Sequence, residues 1–70
     1  MSSIAKVIEV IGQSEESWDD AVRNVLEETA KTVDNVREIW VESMKAVVEN
    51  DRIAEYRVTA KVTFLVEGHD

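Results

Sequence analysis

The fold is decided by residues 53–66, whose sequence is IAEYRVTAKVTFLV. Every second residue from Ala54 to Val66 is apolar or aromatic, whereas most of the residues between them are charged or carry a hydroxyl group. This period of two is typical of a β-strand with one buried face and one polar face. The segment therefore predicts a long strand that is buried on one side only.

A different period governs the chain between Ser17 and Val33. The apolar or small residues there recur at intervals of three and four, at Trp18, Ala21, Val22, Val25, Leu26, Thr29, Ala30 and Val33. This spacing predicts one amphipathic helix, with Trp18 in its core-facing stripe. Ser17 followed by Asp20 has the form of a capping box, so the acidic residues at the helix start are interpreted as capping charges and not as a cation site.

Two further runs have the composition of strands. Lys6 to Ile11 is rich in β-branched residues and is followed by Gly12, which predicts a strand and then a turn. The run from Val36 to Glu49 is separated from the third strand by Asn50-Asp51, which predicts a two-residue hairpin turn. The predicted order is strand, helix, strand, strand. Two glycines and no proline leave no room for a linker, so residues 1–70 are predicted to be one domain.

Composition excludes several kinds of cofactor and partner. The 70 residues contain no cysteine and one histidine, His69, so neither a disulfide nor a conventional zinc site is expected, and no haem. With 15 acidic and 8 basic residues the net charge is −7, and phosphate backbones and anionic lipids would repel such a surface. We therefore expect neither nucleic acid nor membrane as a partner. The start of the chain has no secretion signal, and a cytoplasmic location is expected.

Residues suited to catalysis are missing from the pattern. The chain has no cysteine, its histidine is near the end, and no serine has the context of a nucleophile elbow or a phosphate loop. We therefore predict that the protein is not an enzyme.

The lengths of the predicted elements indicate self-association. A helix of about 16 residues covers about 24 Å, whereas a strand of about 14 residues extends about 46 Å. Half of the apolar face of the strand would thus lie beyond the helix, and exposed apolar surface of that size marks an interface. We expect a closed homo-oligomer in which other subunits cover this surface.

The segments quoted above, read in order, resemble the dodecins. The resemblance rests on KVIEVIG at residues 6–12, Ser14, Ser17, Ala21, KTV at residues 31–33, Asn35, and YRVTAKVTF at residues 56–64. It implies an α+β fold in which a three-stranded antiparallel sheet wraps one helix. It also implies a hollow shell of twelve subunits that stores flavins, such as FMN, riboflavin or FAD, without turning them over.

The flavin site departs from the family pattern. In typical flavin-binding dodecins a tryptophan stacks on the flavin ring and a glutamine bonds the ring edge, and these positions align with Glu38 and Arg57. A carboxylate offers no stacking face, and an arginine cannot accept from the ring N–H. Trp40 lies two residues further along the strand, displaced by about 6.6 Å. Lys45 aligns with a basic residue near the ligand tail in flavin-binding members.

Each of these four residues has two interpretations. Glu38 and Arg57 are ligand contacts, or they form a cross-strand or intersubunit ion pair that fills the flavin position. Trp40 is a relocated stacking platform, or it packs between subunits. Lys45 is a ligand contact or a solvated charge.

The resemblance thus implies a non-enzymatic shell that binds and stores a small ligand, of flavin type and with weakened affinity. The alternative is a flavin-less dodecin with a structural or calcium-binding role, as in some members that lack the flavin pair. Twelve chains of charge −7 would carry about −84, a field that concentrates cations. No calcium-loop motif is present, so a calcium site would need carboxylates from several chains.

Overall fold

The computed structural model describes residues 3–67, in the order strand, helix, strand, strand. The elements are β1 (Ser3–Ser14), α1 (Trp18–Ala30), β2 (Val36–Glu49) and β3 (Arg52–Glu67). The strands form one antiparallel sheet in the order β1-β3-β2, so β3 is central. The predicted order and fold class are confirmed. His69 lies outside the described residues.

The helix packs on one face of the sheet and forms a small core there. Ala21 and Val25 of the helix contact Val58 and Val62 of β3, and Ala60 is also fully buried. Val58, Ala60 and Val62 are alternate residues of β3, as the predicted period of two requires. The face of the sheet that carries them is called the helix side below, and the opposite face is called the distal face.

Ser17 caps the start of the helix as predicted, but Asp20 does not complete the capping box, because the Ser17 N–H donates to the Ser14 hydroxyl and not to Asp20. The Ser17 hydroxyl accepts a hydrogen bond from the backbone N–H of Asp20 at 3.0 Å. The Asp20 carboxylate accepts from the hydroxyl of buried Ser14 at 2.7 Å, and Ser14 accepts from the Glu16 N–H at 2.8 Å. These bonds satisfy N–H groups that have no partner within the helix. Asp20 therefore stabilises the junction of β1 and the helix.

The helix ends three residues before the predicted stripe does. The N–H groups of Thr32 and Val33 both bond to the Thr29 carbonyl, at 3.1 and 2.9 Å, and Asn35 has a φ of 62°. A tightened last turn followed by a left-handed residue terminates a helix. Val33 therefore leads into β2 and is not part of the helix.

Gly12 does not form the predicted turn, because β1 continues to Ser14. Its φ does not lie in the left-handed region, so conformational freedom is not what requires glycine here. The requirement is space. A Cβ atom at this position would meet the Val25 side chain and would lie 2.6 Å from the Ala21 carbonyl oxygen. At Gly12 the helix approaches the sheet so closely that no side chain fits between them.

The predicted hairpin turn between β2 and β3 is confirmed. Asn50 and Asp51 have φ values of 52° and 60°, as a type I′ turn requires, and Asn and Asp tolerate that conformation. β1 pairs with β3 in an unbroken register, whereas β2 has irregularities at Val36/Glu38, Val41/Ser43 and Val47/Val48. From Tyr56 to Glu67, where β1 pairs with it without a break, β3 is regular, and positions along the sheet can be counted on its residues.

The sheet extends well beyond the helix at both ends. The 13 residues of α1 cover about 20 Å, whereas the 16 residues of β3 extend about 53 Å. The molecule measures 57 × 20 × 13 Å and its radius of gyration is 14.7 Å, against about 11 Å for a compact domain of this length. Ile53 and Val66, near the two ends of β3, are exposed. The predicted overhang is confirmed.

None of the helical structure within residues 3–67 is long and apolar enough to cross a membrane.

Replacing Gly12 by alanine should destabilise the fold by about 1–3 kcal/mol, because the added methyl group overpacks the contact between helix and sheet. The measurement is the free energy of unfolding from a urea titration. Gln13→Ala, at the exposed neighbouring position, is the matched control and should change stability by less than about 0.5 kcal/mol. An alanine variant as stable as the wild type would show that the helix can move away from β1 without cost.

Candidate functional site

The distal face carries all four residues singled out in the sequence. On β3 this face is formed by the residues that alternate with Val58, Ala60 and Val62. Residues directly opposite each other in an antiparallel pair point to the same face. Trp40 is opposite Lys61 and Glu38 is opposite Thr63, and Lys45 is opposite Arg57 further along the strand.

A groove on the distal face surrounds Trp40. It has a volume of about 690 Å³ and is lined by Val7, Glu38, Ile39, Trp40, Lys61 and Thr63. The Trp40 side chain is 63% exposed, although large aromatic residues are usually buried. The Lys61 ammonium lies 5.4 Å from the centroid of the Trp40 ring, within the range of a cation–π contact. The groove is large enough for a small molecule and offers it an aromatic surface.

Charges around the groove are not balanced within the chain. Lys61 is shared between the Trp40 ring and the carboxylate of Glu42, whose oxygen is 3.5 Å from the ammonium nitrogen. Within the described part of the chain, no basic group lies within 4.0 Å of the Glu38 carboxylate. Glu38 is therefore an exposed anion at the edge of an apolar groove.

Arg57 and Lys45 occupy the other end of the distal face. They are a directly opposed pair of like charges, an unfavourable arrangement in a sheet. The Arg57 Nε donates to the Glu55 carboxylate at 2.5 Å, which offsets one of the two positive charges. This end of the distal face therefore has a surplus of positive charge.

The register separates the four predicted site residues into two groups. Glu38 and Trp40 lie together, and so do Lys45 and Arg57, but Thr63 and Arg57 are six residues apart on β3, about 20 Å. The cross-strand form of the Glu38–Arg57 ion pair consequently does not form within one protomer. The intersubunit form of this pair remains a prediction.

Trp18, in the helix, contacts the sheet from the helix side, opposite the distal face. The indole N–H donates to the Lys45 carbonyl at 3.0 Å, and the ring meets Tyr56 edge to face, with centroids 4.9 Å apart and an interplanar angle of 77°. Trp18 is half-buried and packs against the core, as predicted for a helix stripe. It anchors the β2 backbone at Lys45 and is not part of the groove.

Four lining residues were not predicted from the sequence: Val7, Ile39, Lys61 and Thr63. Ile39 was recognised only as part of the run from Val36 to Glu49. Lys61 and Thr63 were recognised only as polar members of β3, and Val7 only as part of a β-branched run. Their place beside Trp40 depends on the strand order and on the irregularities of β2, which set which of its residues reach the distal face. The alternation of β3 was the one pattern in the sequence that pointed to two of them, because it puts Lys61 and Thr63 on the polar face of the strand.

Residues 3–67 of one chain do not form a metal centre. No group of three or more Asp, Glu or His side chains in that range is arranged to hold an ion. A divalent cation would need carboxylates from more than one copy of the chain.

The fold and these residues match one protein family. The family model for dodecin matches residues 4–67. A relative, the calcium dodecin of Mycobacterium tuberculosis, is 31% identical over 62 residues, which cover 89% of this chain and 87% of the relative. The chain therefore belongs to the dodecin family.

Solved structures agree with this assignment. The dodecin of Streptomyces coelicolor superposes with a TM-score of 0.91 at 27% identity, covering 96% of both chains. The dodecin of Streptomyces davaonensis gives a TM-score of 0.90 at 26% identity, covering 97% of this chain and all of the other. The crystal structure of the calcium-chelating calcium dodecin of M. tuberculosis, which has a calcium-binding site, gives 0.81 at 27% identity, covering 96% of both.

Proposed function

We propose that the protein is a non-enzymatic dodecin that assembles into a hollow homo-oligomeric shell of twelve chains and holds a small ligand. The observation that carries the proposal is the sheet that extends beyond its helix. Five apolar residues form the buried core of the described chain, whereas ten large apolar residues are exposed. A chain with this balance gains most of its stability from surfaces that other copies cover.

The distal face supplies the candidate ligand site. Trp40 offers a stacking surface in a groove of about 690 Å³, and Glu38 and Lys61 offer an anion and a cation beside it. In the same chain Lys45 and Arg57 lie about 13 Å along β3 from the level of Trp40, and neither lines the groove. The ligand class implied by the family is a flavin such as FMN, riboflavin or FAD.

Affinity for flavin should be weak, because the two positions that usually hold the flavin ring carry charges. Loss of an aromatic stack removes about 0.5–1.5 kcal/mol beyond its area burial, and an unpaired ring N–H costs about 1–3 kcal/mol more. Trp40 does not restore the stack at the usual position, since it is two residues along the strand. We therefore propose a shell whose flavin site has low affinity.

The assembled protein should have a mass of about 95 kDa, twelve times the 7.9 kDa of the chain, because the exposed apolar surface is covered only in the oligomer. Light scattering coupled to size exclusion at micromolar concentration measures this mass. A mass near that of one chain would contradict the shell, and a smaller closed oligomer would contradict only the count of twelve.

Flavin fluorescence should remain unquenched at nanomolar concentrations of the wild-type protein. The variant Glu38→Trp/Arg57→Gln replaces both charges with the residues of typical flavin-binding dodecins, and it should quench flavin at much lower protein concentration. Glu42→Trp/Arg57→Gln is the matched control, since it adds the indole elsewhere on β2 and should gain nothing. Strong quenching by the wild type would show that Trp40 provides a full site.

Calcium is the second candidate ligand, favoured by one observation on this chain and one on a relative. The net charge is −7 per chain, and a 31% identical relative is a calcium dodecin. Because the described residues hold no metal cluster of their own, the site would lie between subunits.

Calcium ions at millimolar concentration should then raise the melting temperature of the assembled protein, since a ligand that binds only the folded state stabilises it. Magnesium at the same ionic strength is the control, because it fits poorly in sites built from many protein oxygens. Equal shifts with both ions would indicate charge screening, and calcium storage would be rejected.

A further inference from the structure

The exposed ring of Trp40 is in contact with a cation of its own chain. The Lys61 ammonium lies 5.4 Å from the ring centroid, and Trp40 is nevertheless 63% exposed. The face of an indole ring carries partial negative charge, so a cation is attracted to it. The ammonium of a lysine is compact and strongly hydrated, and it covers only part of such a ring. The rest of the ring surface remains open to the groove.

Three carboxylates lie near this one ammonium. Glu9 of β1 is directly opposite Lys61 and therefore points to the distal face as well. Glu38 lines the groove, and the Glu42 carboxylate is 3.5 Å from the Lys61 ammonium nitrogen. Three negative charges and one positive charge leave a formal charge of −2 around the ring. The groove therefore lies in a negative part of the distal face.

An irregularity of β2 brings one of these carboxylates to the groove. Val41 and Ser43 pair with two neighbouring residues of β3, which leaves Glu42 between them without a paired residue. Glu42 is thus the extra residue of a β-bulge, and bulges change the direction of a side chain. Its carboxylate meets the lysine that lies beside the ring. The bulge therefore adds a negative charge to the surroundings of Trp40.

The other walls of the groove suit a flat apolar ring. Val7 and Ile39 line it together with Trp40, and its volume of about 690 Å³ is enough for a small polycyclic molecule. A ring that carries positive charge would stack on the indole while its charge faces the carboxylates. A neutral ring gains the stacking alone, and an anion is repelled by the carboxylates.

We propose that the ligand of the Trp40 groove is a planar organic cation, an aromatic ring that carries a quaternary or protonated nitrogen, and that Lys61 occupies the ring face when this ligand is absent. The inference rests on the proposed ligand site and specifies its ligand class. Binding displaces the Lys61 ammonium from the ring, and Glu42 continues to pair with it. A neutral flavin has to displace the same ammonium without the charge attraction, which agrees in direction with weak flavin binding.

Proflavine and riboflavin are suitable probes for this ligand class. Both are fluorescent three-ring systems, but proflavine is a cation at neutral pH and the ring of riboflavin is neutral. Quenching of their fluorescence by the protein measures both affinities, at about 0.15 M salt, where charges more than about 8 Å apart are largely screened. The wild type should bind proflavine at least about tenfold more tightly than riboflavin.

Removing the competing ammonium should strengthen binding. Lys61→Met keeps a long flexible side chain without the charge, and it should tighten proflavine binding about tenfold. Lys6→Met is the matched control, because it removes the same charge from the helix side of β1, opposite Phe64 and about 10 Å along the sheet from the level of Lys61. The control should change the affinity less than about twofold, since salt screens charges at that distance.

Two variants should weaken binding. Trp40→Leu removes the stacking surface and should cost at least about tenfold in proflavine affinity. Glu38→Gln removes one exposed carboxylate of the groove, and it should cost about threefold for proflavine and leave riboflavin unchanged. Helical circular dichroism checks that each variant is folded. Because Glu38 is exposed, its variant keeps the test valid if Trp40→Leu does not fold.

The outcomes separate the ligand class from the ligand site. Equal affinity for both probes, lost for both in Trp40→Leu, would overturn the cation class and leave the proposed site intact. Proflavine binding that survives Trp40→Leu, or that responds equally to Lys6→Met and Lys61→Met, would show attraction to the acidic surface as a whole and overturn the inference. Binding of neither probe to the wild type or to Lys61→Met would reject the site itself, whereas the mass of the assembly tests the shell separately.

Discussion

The structure depends on one mismatch of length, between β3 and the helix that covers it. A 16-residue strand with alternating apolar side chains exposes far more apolar surface than a 13-residue helix can bury. The helix therefore completes a core only over Val58, Ala60 and Val62, and the ends of the sheet remain uncovered. The proposed assembly with other copies rests on this mismatch more than on any single contact.

Two close contacts fix how the helix sits on the sheet. Gly12 allows the helix to approach β1 at Ala21 and Val25, and the indole N–H of Trp18 holds the β2 backbone at Lys45. These contacts connect the helix to both edge strands. Because β3 is regular from Tyr56 to Glu67, the separation of Glu38, Trp40 and Arg57 along the distal face can be counted on the β3 residues that they pair with or belong to.

Local patterns predicted most of the fold. The alternation of residues 53–66, the helical stripe after Ser17 and the Asn50-Asp51 turn each depend on neighbouring residues, and the structure confirms all three. Gly12 was misinterpreted because glycine in a short β-rich run signals a turn equally well, and only the packed helix shows that space is the requirement.

The candidate site was less predictable, because it depends on contacts between strands and not on neighbouring residues. Glu38 and Arg57 are oppositely charged and lie on neighbouring strands, so a cross-strand pair was a reasonable expectation. The register places them about 20 Å apart, and registers depend on strand order and on irregularities that one sequence does not reveal. The contact of Lys61 with Trp40 depends on the same register, so the sequence alone does not show it.

We propose that folding of the protomer is coupled to its assembly, because only five apolar residues are buried within the described chain. The most direct test is urea unfolding followed by the helical circular dichroism signal over a hundredfold range of protein concentration. If folding and assembly are coupled, the midpoint rises with concentration and helix loss coincides with dissociation. A midpoint independent of concentration, with helix retained in the separated chain, would contradict it.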